Sequence, residues 1–173
     1  MQAGERQEWN MGTVLNYLEK YGRYTFEEMP LTEVDSLALC QLSYLKFDGM
    51  VSGMEDGGPQ VTLAELEGHE DFEKLFSDGR FEKNNRALVR AMLGGCRFAE
   101  AKLSNYVNIV EKEWETQFSA ITCELDDGTV YVAYRGTDET IIGWKEDFNM
   151  AFLSPVPAQE CSAAYLNRAA EKF

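Results

Sequence analysis

The sequence predicts an α/β domain that has an α+β order within these 173 residues: N-terminal helices, then a β-hairpin, then a C-terminal helix. Apolar residues recur at helical spacing in the first half of the chain, whereas from about Thr116 they alternate with period two. With 45% hydrophobic residues, the chain is long enough for one packed domain. We therefore expect an N-terminal extension over residues 1–12, which can be disordered, and a single domain over 13–173, mainly helical over 13–95 and with the start of a sheet over 96–173.

The first two helices are predicted from their capping residues and their apolar spacing. Thr13 is a good N-cap for a helix that runs to about Tyr21, where Gly22 ends it. The residues from Thr32 to Asp35 form a capping box, with Asp in place of the usual Glu. The helix behind this box is expected to end near Asp48 and Gly49. Its apolar stripe consists of Val34, Leu37, Ala38, Leu42 and Leu45.

The middle of the chain is rich in residues that interrupt regular structure. Residues 57–59, Gly-Gly-Pro, predict an exposed loop. Thr62 and Glu65 have the spacing of a second capping box and predict a short helix. A further helix is expected from about Asn85 to Leu93, closed by the glycines at 94 and 95.

The second half of the chain predicts a β-hairpin. Residues 118–125 alternate in the way that is typical of a strand, and the Asp-Asp-Gly turn at 126–128 tolerates positive φ. Residues 129–134 form a return strand rich in β-branched and aromatic side chains. Because two strands alone are marginal in water, the predicted sheet is incomplete. Helices are expected from about Ile142 to Ala151 and from about Ala158 to Lys172.

Composition excludes several classes of function. The chain has 30 acidic and 16 basic residues, a formal net charge of −14, which repels nucleic acids and anionic membrane surfaces. The four cysteines form no C-x-x-C pair, and with one histidine they give no recognisable metal-ligand set. No apolar run approaches the roughly 20 residues of a transmembrane helix. We expect a soluble cytoplasmic protein with reduced thiols and no metal or cofactor.

Residues 134–137, Tyr-Arg-Gly-Thr, are the strongest chemical candidate. They lie where the second predicted strand ends, so their backbone N–H groups lack ladder partners. Gly136 allows a sharp turn, and Thr137 adds a hydroxyl beside its own N–H. Such donors are what a developing oxyanion requires in acyl transfer. The residues alone leave a second interpretation open, an ordinary strand exit in which Thr137 caps the next helix.

These residues and those that follow carry a family resemblance. The strand ending in YRGT, followed by the GWKEDF stretch at 143–148, resembles class 3 (fungal-type) lipases. From Asn16 onward the chain is similar to the bacterial Mbeg-like family, a domain-of-unknown-function group of lipase-like α/β-hydrolases. The matching segments lie in the second half of the chain: QFSA at 117–120, GTD at 136–138, GWKEDFNM at 143–150 and LSPVPAQ at 153–159.

The resemblance implies an incomplete α/β-hydrolase fold and roles for five residues. Thr137 takes the place of the oxyanion-hole residue, and Asp147 the place of the carboxylate that orients its hydroxyl. Gly136 and Trp144 lie on the substrate side, and Arg135 pairs with a carboxylate. The substrate of the complete protein is then an ester or lipid-like small molecule.

The chain departs from that family pattern in one respect. It contains no G-x-S-x-G nucleophile elbow: Ser154 precedes a proline, and Ser162 lies in helical sequence. His69 comes before the strand, whereas the triad histidine of this fold comes last. We therefore expect the nucleophile and the triad histidine to lie outside this chain, which is inactive alone.

Three hypotheses remain open from the sequence. The chain is the N-terminal portion of a lipase-like serine hydrolase, or a non-catalytic binding or regulatory protein on the same fold. In the second case, a partner or a second copy in a homo-oligomer covers the open sheet edge. In the third, it is an α+β domain with a structural likeness only.

Overall fold

The computed structural model describes residues 12–77, 81–111, 116–136, 148 and 150–173. The helices of this part are α1 Val14–Tyr21, α2 Glu33–Leu42, α3 Leu63–Glu67, a 3-10 helix Phe72–Phe76, α4 Glu82–Leu93, α5 Cys96–Ala99 and α6 Pro157–Lys172. The strands are β1 Val61–Thr62, β2 Lys102–Glu111, β3 Thr116–Glu124 and β4 Val130–Tyr134. The fold is mixed α+β. Residues 1–11 of the predicted extension over 1–12, and residues 142–147 and 149 of the predicted helix from Ile142 to Ala151, lie outside the described residues.

Three threonines begin helices as the sequence predicts, and each forms a capping box, which was predicted for Thr32 and Thr62 but not for Thr13. The side chains of Thr13, Thr32 and Thr62 each accept the backbone N–H three residues later, where a side chain returns the bond. Each box satisfies two N–H groups that the first turn of a helix leaves unpaired. The prediction that α1 ends at Gly22 is confirmed, and so is the helix ending at Leu93, which begins three residues earlier than expected.

Within the described ranges the sheet has four antiparallel strands in the order β1-β2-β3-β4, so the two-strand prediction was incomplete. The predicted β3–β4 hairpin is confirmed, with Ile121 opposite Ala133. The prediction lacked β1 and β2, and the register of β2 shifts between Ser104 and Val107 at a bulge. Asn105 has a positive φ of 56° there. The bulge places Leu103 and Tyr106, three residues apart, in the same core, which breaks the period-two pattern.

The predicted end of α2 near Asp48 and Gly49 is wrong. The helix ends at Leu42, and Ser43 closes it by donating its hydroxyl to the Cys40 carbonyl at 2.7 Å. The chain beyond continues in turns that still bury Leu45 and Phe47. Of the predicted apolar stripe, Ala38, Leu42 and Leu45 are buried, whereas Leu37 is exposed. Apolar spacing therefore predicts most of the buried face but does not show where helical hydrogen bonding stops.

The sheet separates two apolar clusters. One face of β3, with Ile121 and Cys123, packs against the N-terminal helices in the larger core. The opposite face, with Phe118 and Ala120, packs against Tyr165 and Ala169 of α6. Helices therefore cover both faces of β3 and β4.

A buried ion pair ties the helical layer together. Arg97 of α5 donates to both carboxylate oxygens of Asp35 in α2, at 2.7 and 2.6 Å, and neither side chain is exposed. The remaining guanidinium donors bind carbonyls of the segment between α1 and α2, and the guanidinium lies over the Phe26 ring. Asp35 closes its capping box at the same time.

Candidate functional site

The candidate site is the point where the chain leaves β4. The N–H of Arg135 donates to the Ser119 carbonyl at 2.9 Å, so the ladder with β3 extends one residue past Tyr134. Gly136 follows without regular structure and is exposed. The hydrogen bonds of the β3–β4 hairpin therefore continue to Arg135, and the regular strand structure ends at Gly136, the glycine identified from the sequence.

Gly136 lies against a tyrosine of the helical layer. A Cβ added at this position would lie 3.0 Å from the Tyr44 hydroxyl oxygen. Any side chain here would push against Tyr44, so a glycine lets the backbone pass close to that hydroxyl. Sequence reasoning did not identify Tyr44, because its position depends on the turn that follows α2.

Tyr134 anchors the strand end to α6. Its hydroxyl donates to the Ser162 carbonyl at 3.0 Å, and burial raises its pKa. Its ring lies 6.0 Å from that of Phe118 and 5.9 Å from that of Tyr165. These aromatic contacts fix the α6 side of the strand exit.

On the opposite face, three polar side chains line up across the strands. Asn108 lies opposite Ser119, which lies opposite Arg135, and Arg135 donates to the Asn108 amide oxygen at 3.2 Å. In the described part of the chain this partner is an amide, whereas the resemblance implied a carboxylate. Among the described residues, the Arg135 Nε and the Ser119 Oγ are buried and have no hydrogen-bond partner. Two buried donors beside a strand exit are energetically costly unless an acceptor joins them.

Tyr106 lies next to this row. Its hydroxyl donates to the Leu45 carbonyl and to Asp48, both at 3.4 Å. Burial, and then the nearby Asp48 charge, raise the pKa of Tyr106 to about 12. It therefore stays protonated at neutral pH and acts as a hydrogen-bond donor rather than a base.

The other residues predicted for the site are only partly covered. Thr137, Trp144 and Asp147 lie outside the described residues. Of the five residues given roles, Arg135 and Gly136 are the ones whose positions the structure describes.

The remaining chemical candidates have structural roles. Ser162 lies inside α6, where its hydroxyl donates to the Ala158 carbonyl at 2.7 Å, and Ser154 is an exposed residue before that helix. The Nδ1 of His69 accepts the Asp71 N–H at 3.1 Å in the turn before the 3-10 helix. Among the described residues no group of His, Cys, Asp or Glu side chains has the arrangement of a metal site.

Cys96 and Cys123 are free thiols with very different environments. Cys123 is buried in β3, and burial raises the pKa of its thiol to about 12, whereas Cys96 is exposed. Because the thiolate is the reactive form, we expect Ellman's reagent at pH 8 to label Cys96 in the folded protein and Cys123 only after denaturation. A Cys96→Ala variant should lose the rapid phase. Rapid labelling that persists in this variant and disappears in Cys123→Ala would contradict the assignment.

These features define a mixed α+β domain with an antiparallel sheet. At the end of β4, Tyr134 is held against α6, and the buried donors of Arg135 and Ser119 lie beside it. Residues 92–173, which contain β2, the hairpin and α6, match the family model described as Mbeg1-like. No curated protein and no solved structure gives a significant match to the chain. No helix in the described ranges has the length and apolar character needed to cross a membrane.

Proposed function

We propose that this chain supplies the oxyanion-hole strand of a lipase-like serine hydrolase with an α/β-hydrolase fold, acting on a carboxylic ester. The observation that carries the proposal is the strand exit at Gly136, which follows the last ladder hydrogen bond at once and is exposed. Thr137 would present its N–H, and through its hydroxyl a second donor, to the oxyanion of the tetrahedral intermediate. Asp147 would orient that hydroxyl.

The outer edge of β4 supports the same proposal. The Arg135–Ser119 and Leu125–Thr129 bonds fix the hydrogen-bonded pairs of the hairpin at odd-numbered residues of the second strand. The N–H and C=O groups of Val130, Val132 and Tyr134 therefore point away from β3. In the described part of the chain no strand pairs with this edge. A further strand would extend the sheet between the layers of α2 and α6.

The nucleophile would come from such an added strand. Within these 173 residues there is no G-x-S-x-G sequence, so the catalytic Ser, Asp and His are assigned to sequence outside them. The mechanism would be acyl-enzyme formation, in which the Ser attacks the ester carbonyl and the alcohol leaves with a proton from His. This chain would contribute the electrostatic stabilisation of that step.

A fluorophosphonate probe tests the proposal. We expect no labelling of the 173-residue chain and labelling of a single serine in the natural gene product, because the probe needs an activated serine. Failure to label a folded natural product that contains sequence beyond Phe173 would refute the hydrolase assignment. So would labelling of Ser154 or Ser162 in the chain itself.

The oxyanion role has its own variant. In a labelled natural product, Thr137→Ala keeps the backbone N–H but removes the hydroxyl, and we expect kcat on an ester to fall by about 10²–10³-fold. Thr129→Ala, directly before β4 at the turn of the hairpin, is the matched control and should leave kcat unchanged. If the two variants had equal kcat, the Thr137 hydroxyl would not contribute to catalysis.

A second candidate function is a non-catalytic binding protein completed by a partner or a second copy. It is favoured by the free β4 edge together with exposed leucines on the flanking helices, Leu37 on α2 and Leu166 on α6. Pairing along such an edge is a common mode of recognition. Size-exclusion chromatography with light scattering discriminates, since a stable monomer with no exposed apolar surface would count against self-association.

A further inference from the structure

The polar row formed by Asn108, Ser119 and Arg135 has more hydrogen-bond donors than acceptors. Arg135 lies opposite Ser119, since its N–H donates to the Ser119 carbonyl at 2.9 Å. Side chains that are opposite each other in an antiparallel ladder have Cβ atoms about 5 Å apart, so one small ligand can contact both. Among the described residues, the Asn108 amide oxygen accepts one bond from Arg135, and the Arg135 Nε and Ser119 Oγ remain buried without an acceptor.

Arg97 shows what the same edge of a guanidinium group binds elsewhere in this protein. Its Nε and Nη2 donate to the two oxygens of the Asp35 carboxylate, at 2.7 and 2.6 Å. In Arg135 the Nη2 meets a single amide oxygen at 3.2 Å, and within the described ranges the Nε meets none. A planar guanidinium edge matches two parallel oxygens, so a carboxylate would supply the acceptor that Arg135 lacks.

The charge of Arg135 also has no carboxylate partner in the described part of the chain. Two other arginines there are not fully exposed, Arg86 and Arg97, and each forms an ion pair with a carboxylate. The nearby Asp48 accepts the Tyr106 hydroxyl at 3.4 Å and forms no ion pair with Arg135. Arg135 is therefore a half-buried cation that is free to pair with an anionic ligand.

We propose that this row is a binding site for a carboxylate ligand. One ligand oxygen accepts the Arg135 Nε–H, the other replaces the Asn108 amide oxygen at Nη2, and the Ser119 hydroxyl donates to one of them. Asn108 and Arg135 are half-buried, so the ligand reaches the row by displacing the Asn108 amide. A neutral amide binds less well, because hydrogen bonds to a charged acceptor are stronger.

The electrostatics of the row favour a ligand with a single negative charge. One guanidinium compensates one carboxylate, whereas a phosphate monoester carries a charge of about −2 near neutral pH. The second charge would be repelled by Asp48 and by a chain whose net charge is −14. Gly136 follows Arg135 directly, so the ligand lies beside the strand exit. Together with the proposed function, this selects an ester that also carries a carboxylate, but the binding itself does not depend on hydrolysis.

Nitrogen-edited NMR of the 173-residue chain tests binding directly, because an arginine Nε–H gives its own signal. The Arg135 signal is identified by its loss in Arg135→Lys. Near neutral pH and at constant ionic strength, we expect acetate to shift this signal in a saturable way and the neutral analogue acetamide to leave it in place. Absence of a saturable shift with acetate would overturn the proposal, and so would an equal response to acetamide.

Methyl phosphate tests the preference for a single charge. We expect it to bind at least about tenfold more weakly than acetate in the same titration. Binding as strong as that of acetate would overturn the assignment to carboxylates.

Asn108→Asp places a carboxylate of the protein itself in the row. Because this group lies where the ligand is proposed to bind, acetate should no longer shift the Arg135 signal in the folded variant. A shift with the size and midpoint found for the unaltered chain would refute the location. This variant keeps both buried donors, so it tests the site without deleting any part of it.

Two buried serines provide a matched pair of variants. Ser119 and Ser104 are each 1% exposed, and among the described residues neither hydroxyl has a hydrogen-bond partner. Ser119 belongs to the row, whereas Ser104 lies opposite Thr122 at the bulge of β2. Ser119→Ala should weaken acetate binding about tenfold, and Ser104→Ala should leave it unchanged. Equal effects of the two substitutions would overturn the role of Ser119.

Discussion

Arg97→Met is expected to lower the free energy of unfolding by about 3–5 kcal/mol, a large share of the stability of a domain. The substitution keeps much of the side-chain volume but leaves the Asp35 carboxylate buried without its cation. It also removes the donors that hold the carbonyls of Thr25 and Met29, so the segment between α1 and α2 loses its central attachment. Urea denaturation followed by circular dichroism measures the change.

The matched control is Arg90→Met, in which the same change is made on the exposed side of α4. A surface substitution of this kind should change stability by no more than about 0.5 kcal/mol. Similar losses for the two arginines would show that the buried pair does not hold the helical layer together.

The same ion pair predicts how stability depends on pH. Burial is the largest influence on Asp35 and would raise its pKa, but hydrogen bonds from Arg97, Thr32 and Tyr17 together outweigh it and hold the pKa below its ordinary value of 3.8. A lowered carboxyl pKa means that the stabilisation is fully present above the unfolded pKa and is lost as the pH falls through the folded one. Asp35→Asn should therefore flatten the acid limb of the stability profile.

Local patterns in the sequence predicted those parts of the fold that depend on local rules. The N-caps at Thr13, Thr32 and Thr62 and the β3–β4 hairpin follow from spacing and turn chemistry within a few residues. The ion pair could not be predicted in this way. Asp35 was recognised as a capping residue, but Arg97 is 62 residues away and nothing in its neighbourhood indicates a carboxylate partner.

The site shows the same division between local and long-range information. The strand exit at Gly136 was visible as the end of an alternating pattern, and the structure confirms a strand ending at Tyr134. The alignment of three polar side chains depends on the register of three strands; these side chains are Asn108, Ser119 and Arg135. The bulge in β2 interrupts the alternating pattern by which that strand could have been predicted. The cavity between α6 and the sheet depends on how α6 packs on the sheet, and local sequence patterns do not determine that packing.

Tyr165→Ala is expected to lower the free energy of unfolding by about 3–5 kcal/mol, the range for deleting a large buried ring. The ring packs on Phe118 with a centroid distance of 6.1 Å, and the hydroxyl donates to the Asn105 carbonyl at 2.9 Å while lying 2.7 Å from the Thr122 hydroxyl. Burial also raises the pKa of Tyr165, which keeps that donor protonated. The residue therefore joins α6 to both β2 and β3.

Two further variants separate the ring from the hydroxyl. Tyr165→Phe keeps the ring but leaves the Asn105 carbonyl without that donor, at an expected cost of about 1–3 kcal/mol. Leu166→Ala, an exposed neighbour on the same helix, should cost no more than about 0.5 kcal/mol. If Tyr165→Ala were no more destabilising than Tyr165→Phe, the hydroxyl and not the ring would be what holds α6 against the sheet.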